Sequence, residues 1–567
     1  MKLVECVPNF SEGRDRAVID AIAAAITSVD GAALLDVDPG AAAHRTVVTF
    51  VAPPEAAVEA AFRAMRVASE RIDMSHHHGE HPRMGATDVC PFVPVAGVTM
   101  DECVALARQL GQRVGRELGI PVYLYEAAAT RLERANLADI RRGEYEALAD
   151  KLRDPAWLPD FGPAELNARS GASVIGAREF LIAFNVNLNT RDKKLAHDIA
   201  LDLREQGRSA RGDDGKFLRD AQGNKVAVPG LFKAVKAVGW IIDEYGCAQI
   251  SMNLTDYKVS PPHLVFDRAC ELAWQRGLRV TGSELVGLIP KTALLEAGRY
   301  YLRKQGKSAG VGDDELVRVA VQSMGLDDVA TFDPDQKIIE HRTGARDGRL
   351  VSMTGRHFAE TLASDAPAPG GGSVAALAGC HAASLVAMVA SLTHGKKGYE
   401  AVASEMETIA VEGHALKESL LAAVDADTAA FDAVMAAMKL PKSSDGEKKA
   451  RDLALEQANK WATLVPLSTL RQCLRPAELA RAVADKGNPN SLSDAGVAAL
   501  MAAAGARGAL YNVLINLPGV KDPSFRSTTA SEARALYQQV QRTCDEVAIV
   551  VEERLAKSLM TSGEGDR

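Results

Sequence analysis

The chain has 567 residues, enough for three or four domains of ordinary size. Hydrophobic residues make up 47% and charged residues 25%, which excludes a disordered or collagen-like chain. A formal charge of −8 argues against nucleic acid as a partner, and 5% aromatic content predicts aliphatic, Ala-rich cores.

In chain order, the first two-thirds alternate strands and helices. Leu3–Pro8 is a short apolar run, and helical periodicity follows over Arg14–Ile26. Ala32–Asp38 and Thr46–Pro53 have strand character, Glu55–Ile72 helical character and Asp88–Pro94 strand character again. This β-α-β-β-α-β order is ferredoxin-like. A helix over Asp101–Leu118 and a strand over Pro121–Tyr125 follow. The order then recurs. Phe180–Asn187 is a strand, Lys194–Glu205 a helix, Val235–Tyr245 and Ala248–Thr255 strands, Pro262–Arg276 a helix and Arg279–Leu288 a strand. Arg208–Pro229, rich in Gly, Asp, Lys and Arg, reads as a solvated loop, and a helix over Asp314–Met324 closes the second unit.

Glu340–Val351 is polar and reads as a linker. From Phe358 to Leu559 strand signals vanish, and Ala-rich helical segments are separated by Pro and Gly. The predicted fold class is multidomain: α+β, with two ferredoxin-like subdomains (1–179 and 180–339), a linker (340–352) and an all-α helical bundle (353–567).

Eight cysteines stand singly with no C-x-x-C pair, so no zinc ribbon, thioredoxin motif or disulfide framework is indicated. No secretory h-region opens the chain. Val374–Leu392 is nearly long enough to span a bilayer, but its Ala-rich, Gly- and His-interrupted character fits a buried bundle helix better. The expectation is a cytoplasmic protein without a membrane partner.

The densest chemical constellation runs from His76 to Gly85, ahead of the strand at Asp88. His77–His81 matches H-x-x-E-H, the pattern of a zinc hydrolase, but that motif needs a helix, which Gly79 and Pro82 oppose. Two readings of the loop stand beside it. His76–His78 read as solvated surface, whereas His81, beside Glu80 and Arg83, has the makings of a general base near neutral pH.

In the helical region, Leu416, Leu420, Val424, Phe431, Met435 and Met438 form a stripe predicted to be buried. Asp427 falls in register with it. Asp425, about 200° away round the helix, is expected to face water or an edge. A carboxylate on a buried stripe is either paired or functional. Gly370, Gly371, Gly372 and Ser373 open an apolar helix, and a helix N-terminus favours anions. Asn488 with Asn490, and Asn512 with Asn516, are polar clusters in apolar surroundings that serve either as ring-reading amides or as caps. Basic clusters at Arg191–Lys194, Arg204–Arg219 and Lys396-Lys397 read as surface, or as attractors of an acidic substrate.

Several of these segments resemble one family. Leu3-Val4-Glu5-Cys6-Val7-Pro8-Asn9-Phe10-Ser11-Glu12-Gly13, Gly79–Gly85 with Asp88–Phe92, Phe180–Asn185 and Leu285–Leu288 are similar to formiminotransferase segments. Ala368–Ala376, Val424-Asp425-Ala426-Asp427 and Asn512–Leu517 resemble the cyclodeaminase/cyclohydrolase family. Together they resemble the bifunctional formimidoyltransferase–cyclodeaminases of histidine breakdown.

The resemblance implies formimino transfer from N-formimino-L-glutamate to tetrahydrofolate, then cyclisation to 5,10-methenyltetrahydrofolate with release of ammonia. The alternative it leaves open is a second domain acting mainly as a methenyltetrahydrofolate cyclohydrolase. It implies His81 as the transferase catalytic residue and Asp427 as the cyclodeaminase one. A folate-contacting stretch falls on 162–171, where Gly162, Pro163 and Gly171 fit the family pattern and Ala164–Ser170 depart from it. Arg83 is expected to take a substrate carboxylate, and Gly370, Gly371, Gly372, Ser373, Asn488 and Asn490 to contact folate. Further expectations are no metal site, no tightly bound cofactor, tetrahydrofolate as co-substrate, and a homo-oligomer built through the helical domains.

Overall fold

The structure is a computed structural model that describes residues 2–41, 44–79, 82–212, 214–242, 245–342 and 350–562. Two compact units emerge. One comprises residues 1–293 with 324–344, and the other 294–323 with 345–567.

The first unit holds two sheets. In the first sheet, β1 (Leu3–Cys6) and β2 (Asn9–Phe10) form one strand interrupted at Val7-Pro8. They are followed by β3 (Ala33–Gly40), β4 (Arg45–Ala52), β5 (Thr87–Ala96), β6 (Val122–Glu126) and β7 (Ser173–Ala177). The interrupted strand lies between β4 and β5, all antiparallel, and β3 flanks β4. This is the ferredoxin-like order read from the sequence. β7 and β6 extend the sheet in parallel beyond β5. β7 escaped the sequence reading because five buried residues, Ser-Val-Ile-Gly-Ala, show no alternation.

Strand alternation gives this sheet two unlike faces. Val4, Cys6, Phe50, Cys90 and Phe92 pack into the core with helices Arg16–Thr27 and Pro54–Arg71. Glu5, Val7, Asn9, Arg45, Val47, Val89 and Pro91 point the other way, into a cavity.

The second sheet repeats the topology. β8 (Ile182–Leu188), β11 (Val235–Ile242), β12 (Cys247–Leu254) and β13 (Val280–Val286) lie in the order β11-β12-β8-β13, with β8 in the place of the interrupted strand. Its apolar residues, Phe184, Val186, Ile250 and Met252 among them, are buried, and helices Lys193–Leu203 and Pro262–Gln275 pack on it. Arg208–Pro229 is not a plain loop: β9 (Arg208–Ser209) and β10 (Ala227–Val228) pair as an antiparallel ribbon.

The second unit is helical. Its long helices are Gly371–Thr393, Ala403–Met438, Asp445–Lys486, Leu492–Asn516 and Pro523–Ser562. Gly371–Thr393 packs against the three that follow it. It and Pro489–Gly519 are long and apolar enough to cross a membrane, and the first is mostly buried against its neighbours. Small residues let the helices approach closely: a methyl group on Gly505 would meet the Ala375 carbonyl oxygen at 2.8 Å.

Residues 294–323, read from sequence as part of the second subdomain, pack with this helical unit. The Ala309 N–H donates to the Glu407 carboxylate (3.0 and 3.1 Å), and Ser391 Oγ donates to the Gly310 carbonyl (3.1 Å). The predicted apolar stripe continues past Asp427 but not as core. Phe431 is 40%, Met435 40% and Met438 51% exposed. Asp425 does not face open water either. It accepts hydrogen bonds from the Leu350 and Val351 N–H groups (2.8 and 3.3 Å), fastening the incoming chain to the bundle.

Candidate active sites

The first site is built round the His-rich loop. Glu80 and His81 lie outside the described residues, but the framework on both sides of them is defined. Met74–His76 is a single tight turn capped by Asp73, and the backbone at His77 is extended (φ −80°, ψ 128°). The described part of the H-x-x-E-H motif, His77–Gly79, is therefore not helical.

Both ring nitrogens of His77 are engaged. Nε2–H donates to the His44 carbonyl (2.9 Å), and Nδ1 accepts from Arg83 Nε–H (3.3 Å). Burial pushes the His77 pKa down, which keeps the ring neutral, stacked on His44 at 4.3 Å. No ring nitrogen of His77 is left for a metal, so the zinc-hydrolase reading fails on geometry. Among the described residues, no group of three or more His, Cys, Asp and Glu is arranged to hold a metal ion.

Arg83 does not wait for a substrate carboxylate. Its guanidinium donates to Glu144 (3.0 Å) and to both oxygens of Glu146 (2.9 and 2.6 Å), and to the His77 carbonyl (3.2 Å). The expectation for Arg83 is corrected accordingly: it is a clamp on the loop that carries His81. A cavity of about 400 Å³ opens at the same place, lined by His78, Gly79, Arg83, Gly143, Glu144 and Glu146.

Gly171 supports the loop from below. Its φ is +65°, and a methyl group there would lie 2.1 Å from the Met84 carbonyl oxygen, so only glycine allows the approach. The Ala172 N–H donates to that carbonyl (3.1 Å), and the Ala86 N–H donates to Ser170 O (2.8 Å). Gly162, with φ +82°, packs instead against Gly115 and Ile120, and Pro163 is exposed beside it. The structure thus brings Gly171, but not Gly162 or Pro163, against the His81 loop.

The loop is joined to a larger cavity by Asp88. The buried Asp88 carboxylate accepts from the Met84 N–H (3.0 Å) and pairs with Arg141. Arg141 lines a cavity of about 670 Å³ together with Glu5, Asn9, Arg45 and Arg178 from the first sheet, and Ala183, Asn253 and Leu288 from the second. Burial pushes the Arg45 guanidinium down to about 10, partly opposed by Asp88. Three arginines beside the apolar Val7, Val47, Val89 and Pro91 suit a ligand carrying carboxylates. None of the three had been singled out from the sequence. For Arg45 the available signal was a polar residue at an alternate position of an otherwise apolar strand; Arg141 and Arg178 lie outside the strands and carry no such signal.

The second site lies in the helical unit. Ser373 Oγ donates to Asp427 Oδ2 (3.3 Å) and to the Val424 carbonyl (3.0 Å), and the Ser373 backbone N–H also bonds the Asp427 carboxylate. Gly372 allows this contact: a Cβ there would stand 2.1 Å from Asp427 Oδ1. The first turn of helix Gly371–Thr393 therefore presents its backbone to the carboxylate, which a helix N-terminus stabilises. Burial nevertheless pushes the Asp427 pKa up, outweighing the bonds from Ser373. A carboxyl that keeps its proton nearer neutrality can both give and take one.

Asn512 Nδ2 stands 3.6 Å from where a Gly371 methyl would be, so Asn512 joins the site. Gly370 is the extended N-cap residue of the helix. Asn488 and Asn490 do not join it. The Asn488 N–H donates to Thr393 Oγ1 (2.9 Å), and its side chain caps the Asn490 N–H (3.2 Å). Thr393 is at the far end of the helix that begins near Ser373, about 30 Å away at 1.5 Å per residue. Asn488 is a cap, and Asn490 is an exposed residue of the turn it caps.

Family models match in three consecutive blocks. The N-terminal subdomain of the formiminotransferase domain covers residues 3–178, the formiminotransferase domain 183–343 and formiminotransferase-cyclodeaminase 354–535. The chain is 43% identical over 557 residues to the formimidoyltransferase-cyclodeaminase of Gallus gallus, spanning 98% of this chain and 100% of that one. The chain belongs to the formimidoyltransferase-cyclodeaminase family.

Each half of this family member also has free-standing relatives. The glutamate formimidoyltransferase of Streptococcus pyogenes is 42% identical over 302 residues, 53% of this chain and 94% of that protein. The methenyltetrahydrofolate cyclohydrolase of Methylorubrum extorquens is 44% identical over 182 residues, 32% of this chain and 88% of that protein.

Proposed function

We propose that the chain performs two consecutive folate reactions, one in each unit. In the first, the formimino group of N-formimino-L-glutamate moves to nitrogen 5 of tetrahydrofolate. Nitrogen 5 attacks the formimino carbon, the His81 imidazole takes the proton it loses, and the same proton leaves on the glutamate nitrogen. Arg45, Arg141 and Arg178 hold substrate carboxylates in the large cavity. Gly171 and Arg83 hold the His81 loop in place.

In the second reaction, nitrogen 10 attacks the carbon of the protonated formimino group. Asp427 takes the nitrogen 10 proton and delivers it to the departing nitrogen, so that ammonia leaves and 5,10-methenyltetrahydrofolate remains. The observation that carries this reading is the Asp427 carboxyl, half-buried and fitted against Gly372 and Ser373 at the start of a helix, while neighbouring Asp425 is tied to the Leu350 and Val351 N–H groups. A purely structural carboxylate would need no such glycine.

Tetrahydrofolate acts as a co-substrate with no tightly bound cofactor, and the chain works in the cytoplasm. The exposed Phe431, Met435 and Met438 support a homo-oligomer formed through the helical units. The test is to incubate the protein with formiminoglutamate and tetrahydrofolate, following glutamate, ammonia and the methenyl absorbance. All three products are expected. Glutamate without ammonia would refute the second half, and a helical unit that only hydrolyses methenyltetrahydrofolate would favour cyclohydrolase chemistry.

A further inference from the structure

The large cavity has hydrogen-bond acceptors on its wall that nothing among the described residues satisfies. Glu5 is 3% exposed, and strand alternation turns it away from the core and into the cavity. Among the described residues, no group donates a hydrogen bond to its carboxyl. Its charged neighbours are Arg178, which attracts it, and Glu340, which repels it, and burial pushes its pKa up to about 7. On the same face, Asn9 is 4% exposed and donates through Nδ2 to the Val7 carbonyl (2.7 Å), while its Oδ1 is buried without a partner.

The other carboxylates on the cavity wall, Asp36 and Asp38, are exposed and keep their water. Glu5 therefore differs from them in kind. A buried carboxyl without a donor costs several kcal/mol unless a ligand supplies one. A carboxylate is also the natural partner of two parallel N–H groups.

We infer that Glu5 reads the aminopyrimidinone edge of the reduced pterin, its two oxygens accepting the ring N3–H and the 2-amino N–H. Asn9 Oδ1 takes a further N–H of the same ligand. The inference rests on the transferase reading of this cavity and deepens it. The formimino group also carries N–H donors, but its carbon must stay open to attack by nitrogen 5, and the pterin edge offers more donors in one row: N3–H, the 2-amino N–H groups and N8–H. Glu5 and Asn9 Oδ1 together present three acceptors on the cavity side of the sheet, a number that this edge can fill.

The experiment uses the full chain and measures glutamate release with tetrahydrofolate and with 2-desamino-2-methyltetrahydrofolate, which lacks the exocyclic donor. The wild type is expected to prefer tetrahydrofolate by at least about tenfold in kcat/KM, since one charge-assisted bond is lost with the exocyclic donor. In Glu5→Gln that preference is expected to fall below about fivefold, with KM for formiminoglutamate within twofold of wild type, because the amide presents donors to a donor edge.

A Glu5→Gln variant that discriminates as strongly as wild type overturns the inference. So does a change confined to KM for formiminoglutamate. Should the variant not fold, the wild type alone decides: equal use of the two pterins overturns the assignment. A wild type that releases no glutamate with either pterin refutes the transferase reading itself, and with it this inference, which separates that failure from failure of the Glu5 assignment alone.

Discussion

Three consecutive glycines open the helix that faces Asp427, and the geometry separates them. A methyl group on Gly372 would lie 2.1 Å from Asp427 Oδ1, 2.4 Å from Cγ and 2.5 Å from Oδ2. Ordinary carbon–oxygen contact is about 3.3 Å, so in Gly372→Ala the carboxylate must retreat by about 1 Å. A displacement of that size in a reacting group costs about 100-fold in rate. Stability should change little, because overpacking of about 1–3 kcal/mol is partly offset by the better helix propensity of Ala, worth about 1 kcal/mol. A methyl group on Gly371 would meet only Asn512 Nδ2, at 3.6 Å, and one on Gly370 would meet nothing within 4 Å. The expected series is therefore graded. Gly370→Ala and Gly371→Ala keep cyclisation within about threefold, and Gly372→Ala loses about 100-fold. The assay is methenyl absorbance from preformed 5-formiminotetrahydrofolate, with glutamate release as the transferase control. Gly372→Ala retaining more than half of wild-type cyclisation would refute the reasoning, as would an equal loss in all three variants.

Other consequences follow from single contacts. Burial raises the Glu5 carboxyl from 4.5 to about 7, so the ionised form is disfavoured in the folded state. Wild type and Glu5→Gln should be equally stable at pH 4, where the carboxyl is protonated folded or unfolded. As pH rises through the window between 4.5 and about 7 the wild type loses stability, and Glu5→Gln should lead by up to about 3 kcal/mol at pH 8.5; urea unfolding at the two pH values checks this. Asp425→Ala orphans the Leu350 and Val351 N–H groups, so urea unfolding should show a loss of about 1–3 kcal/mol, with cyclisation retained in the protein that remains folded. Arg83→Ala leaves Glu144 and Glu146 without their cation, so transferase kcat should fall at least tenfold while KM for formiminoglutamate stays within threefold; a rise confined to KM would restore Arg83 as a carboxylate receptor.

Much of the fold was legible because its signals are local. Period-2 and period-3.6 patterns place both βαββαβ repeats, and helix register puts Asp427 on the face that meets Ser373. What escaped depends on partners distant in the chain. Arg83 looks like a free cation until Glu144 and Glu146, 61 and 63 residues later, fold back onto it. Asn488 and Asn490 look like ligand-reading amides, but only the direction of the helix hairpins shows that they belong to a turn, capped by Asn488, at the end opposite Asp427. Phe431, Met435 and Met438 have the spacing of a core stripe, yet that part of their helix leaves them exposed. Glu5, Asn9 and Arg45 were within reach of the sequence: they are polar residues at alternate positions of strands whose other positions are core.

The central claim is that two separate sites, one in each unit, act in turn on one carbon. It is tested most directly by mixing two inactivated chains. His81→Ala should release no glutamate but still cyclise preformed 5-formiminotetrahydrofolate, and Asp427→Asn should release glutamate and stop at the formimino intermediate. Combined with formiminoglutamate and tetrahydrofolate, the pair should regain methenyl product and ammonia. Loss of both activities in either folded variant, or a mixture that forms no methenyltetrahydrofolate, would contradict the account.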